Sequence, residues 1–265
     1  MRPYARSTMR RQSLAASVIV LLLSAGLYGQ TTPAARVAAE ASSETPATHT
    51  PYYIDPLSLH LSLILPPPPD RNSAITTAEL SELHRIEGAR TPTQITQAEA
   101  DDTEEDIFIF KNVLGPGFTA KALPITAALS AHVRKDESTA SGPLKNIYHR
   151  PRPYQVDKTL HPVCPLNPEP TSYPSGHSLS GYLLAFTLVQ LVPEKRQEIF
   201  DRADEYVHNR LVCGVHYASD TEASRRVAYA IFGSLAASAR FQQDLVAARE
   251  ETRVKLGLPA VAPLE

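Results

Sequence analysis

The segment from Arg210 to Asp220 places a histidine and a carboxylate where they could act together. His216 and Asp220 are four residues apart, within reach for the carboxylate to accept a hydrogen bond from one imidazole nitrogen. Such a contact would fix the tautomer and leave the second nitrogen free as a base or a nucleophile. A lone His/Asp pair is more often a structural contact, so this segment alone does not establish catalysis.

Two further segments carry residues that suit an oxyanion. Lys145 and Arg152 lie seven positions apart, and on charge pattern alone they would be solvated surface charges. The sequence Pro-Ser-Gly-His is more pointed, because Gly176 allows close backbone approach and a helix starting after Ser175 offers unpaired N–H groups to an anion. The alternative for this segment is an ordinary helix cap followed by a buried His177.

Taken together, the three segments contain the groups that phosphoryl transfer requires. Two guanidinium groups and one ammonium group could hold phosphate oxygens, and two histidines could perform the two proton-sensitive steps. A protein that only bound phosphate would need the cations, but it would have no use for His177 together with an Asp-oriented His216. A catalytic site is therefore favoured over a binding site.

The order and spacing of these residues resemble the signature of a known superfamily. The order is Lys, six residues, Arg-Pro; then Pro-Ser-Gly-His; then Arg, five residues, His, three residues, Asp. This pattern is similar to that of the type 2 phosphatidic acid phosphatase (PAP2) superfamily, which joins bacterial class A non-specific acid phosphatases, lipid phosphatases and vanadium haloperoxidases. The likeness to the class A acid phosphatases covers most of the chain from about residue 60, in ILPPPP (64–69), SYPSGH (172–177), RLVCGVHYASD (210–220) and FQQDL (241–245).

The resemblance implies a role for each of these residues. His216 would attack phosphorus, Asp220 would orient it, and His177 would protonate the leaving oxygen. The groups that hold phosphate would be Lys145, Arg152, Ser175, Gly176 and Arg210. Because the cations already supply the positive charge that metal ions supply elsewhere, we expect hydrolysis of phosphomonoesters with no metal and no other cofactor, through a phosphohistidine and with an acidic pH optimum.

One position beside the third motif departs from the family. The family usually has Ser immediately before the arginine, and here that residue is Asn209. Asn can still donate a hydrogen bond, so activity is compatible with it. The other histidines match no catalytic position of the family, and among them His149, inside the first motif, is the candidate for the rim of the pocket.

Two other members of the superfamily are alternatives. A vanadate-dependent haloperoxidase would use nearly the same anion cage, but the short chain and the local similarity to the phosphatases argue against it. A membrane lipid phosphatase would need several spanning helices, and the sequence after the N-terminal segment shows none.

The N-terminal segment predicts export. Arginines precede an apolar run from Leu14 to about Leu27, which is followed by small residues near Gly29. This is the pattern of a signal peptide, and the run is shorter than the roughly 20 apolar residues that a spanning helix needs. We predict a signal peptide over 1–29, a flexible leader over 30–51, an acid phosphatase domain over 52–265, and a periplasmic or secreted protein.

Two cysteines remain for the exported protein, Cys164 and Cys213. Disulfides persist in exported proteins, which favours a bridge between the two, whereas the alternative is a pair of buried free thiols. We predict the disulfide, which would tie together two walls of the site.

Size and charge limit the partners. A chain of 265 residues can bury one substantial core, and its formal net charge is only -2. No Lys/Arg cluster resembles the footprint of a nucleic-acid binder. The predicted partners are small phosphomonoesters, with no nucleic acid and no membrane once the signal peptide is removed; a homo-oligomer is left open.

The elements that must position these residues are helices. Apolar residues recur at intervals of three and four residues, and the sequence shows no convincing alternation of apolar and polar residues typical of strands. This pattern predicts an all-α fold. By the resemblance, this is a compact multi-helix bundle of the PAP2 and haloperoxidase type. The segment 181–192 is apolar on nearly all sides, as expected of a central helix. Further helices are predicted over 118–134, 144–149, 194–212 and 221–247.

Two local patterns bear on the site. The run Ser219-Asp220-Thr221-Glu222 fits a capping box, which places a helix start there and His216 in the turn before it. The acidic run 101–106 is interpreted as a solvated face or a helix N-terminus, because a metal site would want spaced ligands and a turn glycine.

Overall fold

Helices are the only regular elements in the computed structural model, which describes residues 51–260. The predicted signal peptide (1–29) and the predicted leader up to residue 50 lie outside the described residues. The helices of three turns or more are α1 (Ala74–Ala89), α2 (Pro92–Thr103), α3 (Pro124–Tyr148), α4 (Gly176–Leu191), α5 (Arg196–Val212), α6 (Ala218–Ala237) and α7 (Ala239–Leu256). Single α-helical turns lie at Leu61–Ile64, Lys111–Leu114 and Pro153–Val156, and 3-10 turns at Pro56–Leu59, Ile107–Phe110 and Pro193–Lys195. The all-α prediction is confirmed.

Helix α4 lies at the centre of the bundle. Twelve of its sixteen residues are buried, so the helix is enclosed on all sides, as its sequence predicts. Around it pack α3, α5, α6 and α7. The approach of α5 is close because Gly181 has no side chain: a Cβ there would lie 2.8 Å from Cδ1 of Tyr206. None of the helices within the described residues is both long enough and apolar enough to cross a membrane.

Helix α3 is one continuous helix where the sequence predicts two segments, 118–134 and 144–149. It begins with Pro124 in its first turn, a position where proline costs no hydrogen bond. It then continues through Gly142 and Pro143, and its buried face runs on from Glu137 to Leu144. Packing of that face holds the helix together across two residues that break isolated helices. The prediction of a break was therefore wrong, and Lys145 lies in the last turn of a 25-residue helix.

The predicted helix over 221–247 is two helices, α6 and α7. Helix α6 begins two residues earlier than the predicted capping box implies, because the N-cap is Tyr217, whose backbone N–H donates to the Asp220 carboxylate at 2.9 Å. Helix α6 ends before Ser238, whose hydroxyl caps α7. The predicted start at Ser219 was wrong, since the backbone N–H of Ser219 donates instead to Glu79.

The interpretation of the acidic run 101–106 as a solvated face or a helix N-terminus holds for only part of it: Glu104 and Asp106 are exposed and Asp106 caps the next 3-10 turn, whereas Asp101, Asp102 and Glu105 pair with cations. Helix α2 ends at Thr103, which puts the first two carboxylates in its last turn, where the helix dipole disfavours negative charge. Cations offset this: Asp101 is only 4% exposed and forms a two-pronged ion pair with Arg202 of α5, at 2.5 and 3.0 Å. The run therefore fastens the end of α2 to α5.

The Cys164–Cys213 disulfide is present, as predicted, with a Cα–Cα distance of 5.2 Å. It joins the proline-rich loop before α4 to the residue after α5. At the other end of the bundle, the Asp136 carboxylate of α3 accepts backbone N–H groups from Tyr53 and Ile54, which anchors the beginning of the described chain.

Candidate active site

The fold brings the three predicted segments to one place. Arg152 lies against His216, with 3.2 Å between Nη1 and Nε2. The backbone N–H of Ser175 approaches the carbonyl oxygen of Asp220 at 3.4 Å. The ammonium group of Lys145 donates to the backbone of the second segment, at the carbonyl oxygen of Pro174 (2.6 Å). Residues far apart in the sequence thus share one buried site between the ends of α3, α4, α5 and α6.

His216 lies in the connection between α5 and α6 and is 2% exposed. Its Nδ1 faces the Asp220 carboxylate at 3.2 Å, so this nitrogen carries the proton and Nε2 offers a lone pair. Burial, together with the charges of Arg152, Arg210 and Lys145, holds the pKa of His216 well below its ordinary value. The imidazole is therefore neutral, with the unprotonated nitrogen directed at the cations.

Asp220 is held by two residues that the sequence analysis did not single out. Arg150 donates to one carboxylate oxygen at 2.6 Å, and the Ser172 hydroxyl donates to the other at 2.6 Å. Burial raises the pKa of Asp220, and these donors oppose that rise by favouring the ionised form. Both residues lie within the motif segments of the sequence. A buried carboxylate needs hydrogen-bond donors, and this requirement was the signal that pointed to them.

Three cations surround the lone pair of His216. Lys145 donates two of its N–H bonds to the carbonyl oxygens of Thr171 and Pro174, which leaves the third available. Burial and the charge of Arg152 lower the pKa of Lys145 to about 8. In the part of the chain that the structure describes, the buried Nε atoms of Arg152 and Arg210 have no hydrogen-bond partner. Buried donors without acceptors are costly, and an anion in this cage would satisfy them.

The start of α4 forms the fourth side of the cage. Ser175 is the N-cap, and its hydroxyl accepts the backbone N–H of Ser178 at 3.3 Å. The N–H groups of the first turn have no acceptor within their own helix. A Cβ built on Gly176 would meet no atom within 4 Å, so the space over this backbone is open to an anion.

His177, in the first turn of α4, is surrounded by the acidic run. Its Nδ1 lies 2.9 Å from a carboxylate oxygen of Glu105, and its Nε2 lies 3.1 Å from the carbonyl oxygen of Asp102. The side chain of Asp102 in turn pairs with Arg210 at 2.6 Å. The partner that a buried Arg210 requires is thus supplied by the acidic run, which the sequence analysis interpreted as a solvated face or a helix N-terminus.

Asn209, the departure from the family pattern, faces away from the cage. Its amide donates to Asp101 at 2.7 Å, beside the ion pair with Arg202. The residue therefore helps to fasten α2 to α5. In this structure, its contact is with a carboxylate and not with the proposed phosphate position.

His149 lines a separate cavity of about 340 Å³, together with Arg71, Pro68 and Tyr217. The lining also includes Arg150 but none of the predicted phosphate-binding residues. This cavity and the site share Arg150, which donates to Asp220.

Asp102 also belongs to a group of three residues whose side-chain types can bind a metal. Its carboxylate lies within 4.8 Å of the sulfur atoms of Cys164 and Cys213. Those sulfurs are joined to each other and are not thiolates, which are the form that binds metal.

Comparison with known proteins shows which family this chain is similar to. Residues 123–244 match the family model described as the PAP2 superfamily. The non-specific acid phosphatase of Salmonella typhi is 32% identical over 222 residues, which cover 80% of this chain and 88% of that protein. The non-specific acid phosphatase of Salmonella typhimurium is 32% identical over 221 residues, covering 80% and 87%. The acid phosphatase of Zymomonas mobilis is 28% identical over 223 residues, covering 81% and 82%.

Proposed function

The chain belongs to the class A acid phosphatases of the PAP2 superfamily, and from this we propose that it hydrolyses a broad range of phosphomonoesters through a phosphohistidine on His216. One observation carries the proposal. The unprotonated Nε2 of a neutral, Asp-oriented imidazole faces a group of buried cations, two of which have donors with no partner among the described residues. Such a cage suits a phosphate whose phosphorus lies in front of the nucleophile.

In the first step, Nε2 of His216 attacks phosphorus and the bond from phosphorus to the ester oxygen breaks. The leaving oxygen takes the electron pair of that bond and a proton from His177. Arg152, which now donates toward Nε2, would turn its N–H bonds to the phosphate oxygens. Asp220 accepts the hydrogen bond from Nδ1–H throughout and stabilises the charge that develops on the ring.

In the second step, water attacks the phosphohistidine. His177, neutral after the first step, takes a proton from this water, and the P–N bond breaks to return its electron pair to His216. Inorganic phosphate then leaves, and both histidines return to their initial states. The same residue acts as acid in one step and base in the other, as microscopic reversibility requires.

Metal independence is part of the proposal. Lys145, Arg152 and Arg210 supply three positive charges around the transferring group, which is the electrostatic task of a metal ion in other phosphatases. Bidentate guanidinium groups also match the geometry of phosphate oxygens.

Export to the periplasm or the medium is the third part. The pattern of residues 1–29 supports it, and so does the Cys164–Cys213 disulfide, since disulfides persist in oxidising compartments. Mass spectrometry of protein recovered from a bacterial periplasm should find the new N-terminus close to residue 30.

Hydrolysis of a substrate panel by the purified protein tests the function. We expect release of phosphate from aryl, sugar and nucleoside monophosphates, unchanged in EDTA and inhibited by vanadate, a mimic of the five-coordinate transition state. His216→Ala should be inactive on all of them. Loss of activity in EDTA that a divalent metal restores would contradict metal independence. Bromide oxidation by peroxide with vanadate, in the absence of phosphatase activity, would favour the haloperoxidase alternative.

A further inference from the structure

We propose that Glu105 is a positioning residue for proton transfer: it holds the His177 imidazole in the orientation and the protonated state from which the leaving oxygen receives its proton. The inference rests on the proposed function, in which His177 is the acid. It concerns a residue outside the three motifs, from the run 101–106.

The contacts of His177 define its protonation in this arrangement. Nδ1 faces the Glu105 carboxylate at 2.9 Å and Nε2 faces the Asp102 carbonyl oxygen at 3.1 Å. Both partners are acceptors only, so the ring can donate to both of them only when both of its nitrogens carry a proton. Because Nδ1 contacts Glu105, the proton available for the substrate is the one on Nε2. The leaving oxygen would replace the Asp102 carbonyl oxygen as the acceptor of that proton.

Glu105 is itself held in place and ionised. Arg134 of α3 pairs with it, and the same guanidinium also donates to Glu137, which is 2% exposed. Burial raises the pKa of Glu105, but hydrogen bonding to His177 and the charges of His177 and Arg134 lower it to about 2. The carboxylate is therefore charged throughout the working range.

The other titratable groups that face His177 come from α2, α5 and the connection between α5 and α6. The Asp102 carboxylate at the end of α2 lies 4.0 Å from Nε2, and it is already paired with Arg210 of α5. Tyr206 of α5 stacks beside the ring at 6.3 Å between centroids. His216 adds no charge while it is neutral. Glu105 is thus the one carboxylate among these groups that is in direct contact with a ring nitrogen.

A merely structural role is the competing explanation. Glu105 could fasten its segment to α3 and α4 and contribute nothing to proton transfer. The two explanations differ in how the effect of a substitution depends on the substrate. An activated aryl phosphate leaves without a proton, whereas an alkyl phosphate needs one, so loss of acid assistance affects only the second.

The test compares Glu105→Gln with Glu104→Gln, which makes the same charge change on an exposed neighbour. For glycerol phosphate, kcat/KM of Glu105→Gln should fall about tenfold or more, a part of what general acids contribute. For dinitrophenyl phosphate it should change less than about threefold by the same reasoning. The basic limb of the pH profile of kcat on glycerol phosphate should also move to lower pH. Lys145 does not set this limb, because bound phosphate keeps its ammonium group charged in the complex. Glu104→Gln should match the wild type throughout.

Equal losses on both substrates with an unchanged pH profile would overturn the inference in favour of a structural latch, and so would no loss at all. Thermal unfolding checks that the variants fold. If Glu105→Gln does not fold, two other variants are compared. Glu105→Asp, which keeps the charge, must then retain more activity on glycerol phosphate than Glu105→Ala. His177→Ala separates the levels of failure. If His177→Ala loses the same activity on both substrates, the proposed acid is wrong. If His177→Ala loses activity mainly on glycerol phosphate and Glu105→Gln does not, only this inference fails.

Discussion

At the scale of residues, the two histidines of the site have opposite surroundings. His216 is enclosed by cations and held neutral, and its lone pair faces the cage. His177 is enclosed by acceptors from the run 101–106, with Nδ1 facing the Glu105 carboxylate and Nε2 facing the Asp102 carbonyl oxygen. Environments that separate two similar groups into base and acid are typical of hydrolases.

Lys145 supplies a prediction for pH. Its pKa of about 8 means that the free enzyme loses one of its cations above that pH. The kcat/KM for dinitrophenyl phosphate, which needs no acid, should therefore fall above about pH 8 to a plateau about 10- to 100-fold lower, the value of a charge-assisted hydrogen bond.

The control is Lys145→Arg, whose guanidinium keeps its charge far beyond pH 8. In this variant the fall in kcat/KM above pH 8 should vanish. The same fall in both proteins would assign it to another group.

Asp102 supplies a prediction for anion affinity. Its carboxylate occupies a donor of Arg210 and places negative charge beside the cage. Asp102→Asn should tighten inhibition by vanadate about tenfold, because it removes a carboxylate worth about 1 to 2 kcal/mol of repulsion at this range. Glu104→Gln, on the exposed neighbour, should leave the inhibition constant unchanged. Weaker inhibition in Asp102→Asn would mean that the carboxylate serves to orient Arg210.

At the scale of elements, local pattern predicted the helices but not all their boundaries. The enclosed helix α4 was evident from its sequence because apolar residues cover all its sides. The continuity of α3 through Pro143 was not, because it depends on tertiary packing that overrides the local preference.

The role of the acidic run could not be predicted for the same reason. Charge runs usually face solvent, and only the neighbouring α5 and α3 reveal the partners Arg202, Arg210 and Arg134. One signal did exist in the sequence. Arg210 continues the apolar stripe of α5, so a buried acidic partner had to come from somewhere else in the chain.

The contact between α4 and α5 supplies a prediction for stability. In Gly181→Ala the new methyl group would overlap Tyr206, a fully buried ring whose hydroxyl donates to the carbonyl oxygen of Glu104. We expect a loss of roughly 1–2 kcal/mol in the free energy of unfolding after the gain in helix propensity, with lower activity because the run 101–106 shifts.

The matched control is Gly233→Ala in α6, where a methyl group meets no atom within 4 Å. It should be neutral or stabilise the protein by up to about 1 kcal/mol. Urea unfolding measures both. Equal effects of the two substitutions would show that Tyr206 adapts without cost.

At the scale of the whole molecule, a single bundle gathers the ends of four helices around one site. The motif residues and their proximity could be predicted from the sequence, because the spacing of Lys145, Arg152, Arg210, His216 and Asp220 resembles a known family. What the sequence could not supply is the set of residues that orient and enclose them, since those contacts join distant segments.

The disulfide supplies a prediction for the fold as a whole. It closes a loop with a sequence separation of 49 residues between the pre-α4 loop and the end of α5. Replacing both cysteines, as Cys164→Ala with Cys213→Ala, should cost roughly 4 kcal/mol in the chain-entropy model. Thermal unfolding of the oxidised wild type and of the double variant measures this cost, with the wild type in reductant as the control. Identical unfolding temperatures in all three samples would contradict a stabilising bridge.

The identity of the nucleophile is the central claim, and trapping the phosphoenzyme tests it most directly. Enzyme mixed with labelled activated aryl phosphate is quenched within milliseconds in alkaline denaturant, where P–N bonds survive, and peptides are then mapped. Label should be found on His216 in the wild type and in His177→Ala, which can still form the intermediate from a leaving group that needs no proton. It should be absent from His216→Ala. Label retained on His216→Ala would assign the nucleophile to another residue and contradict this account of the site.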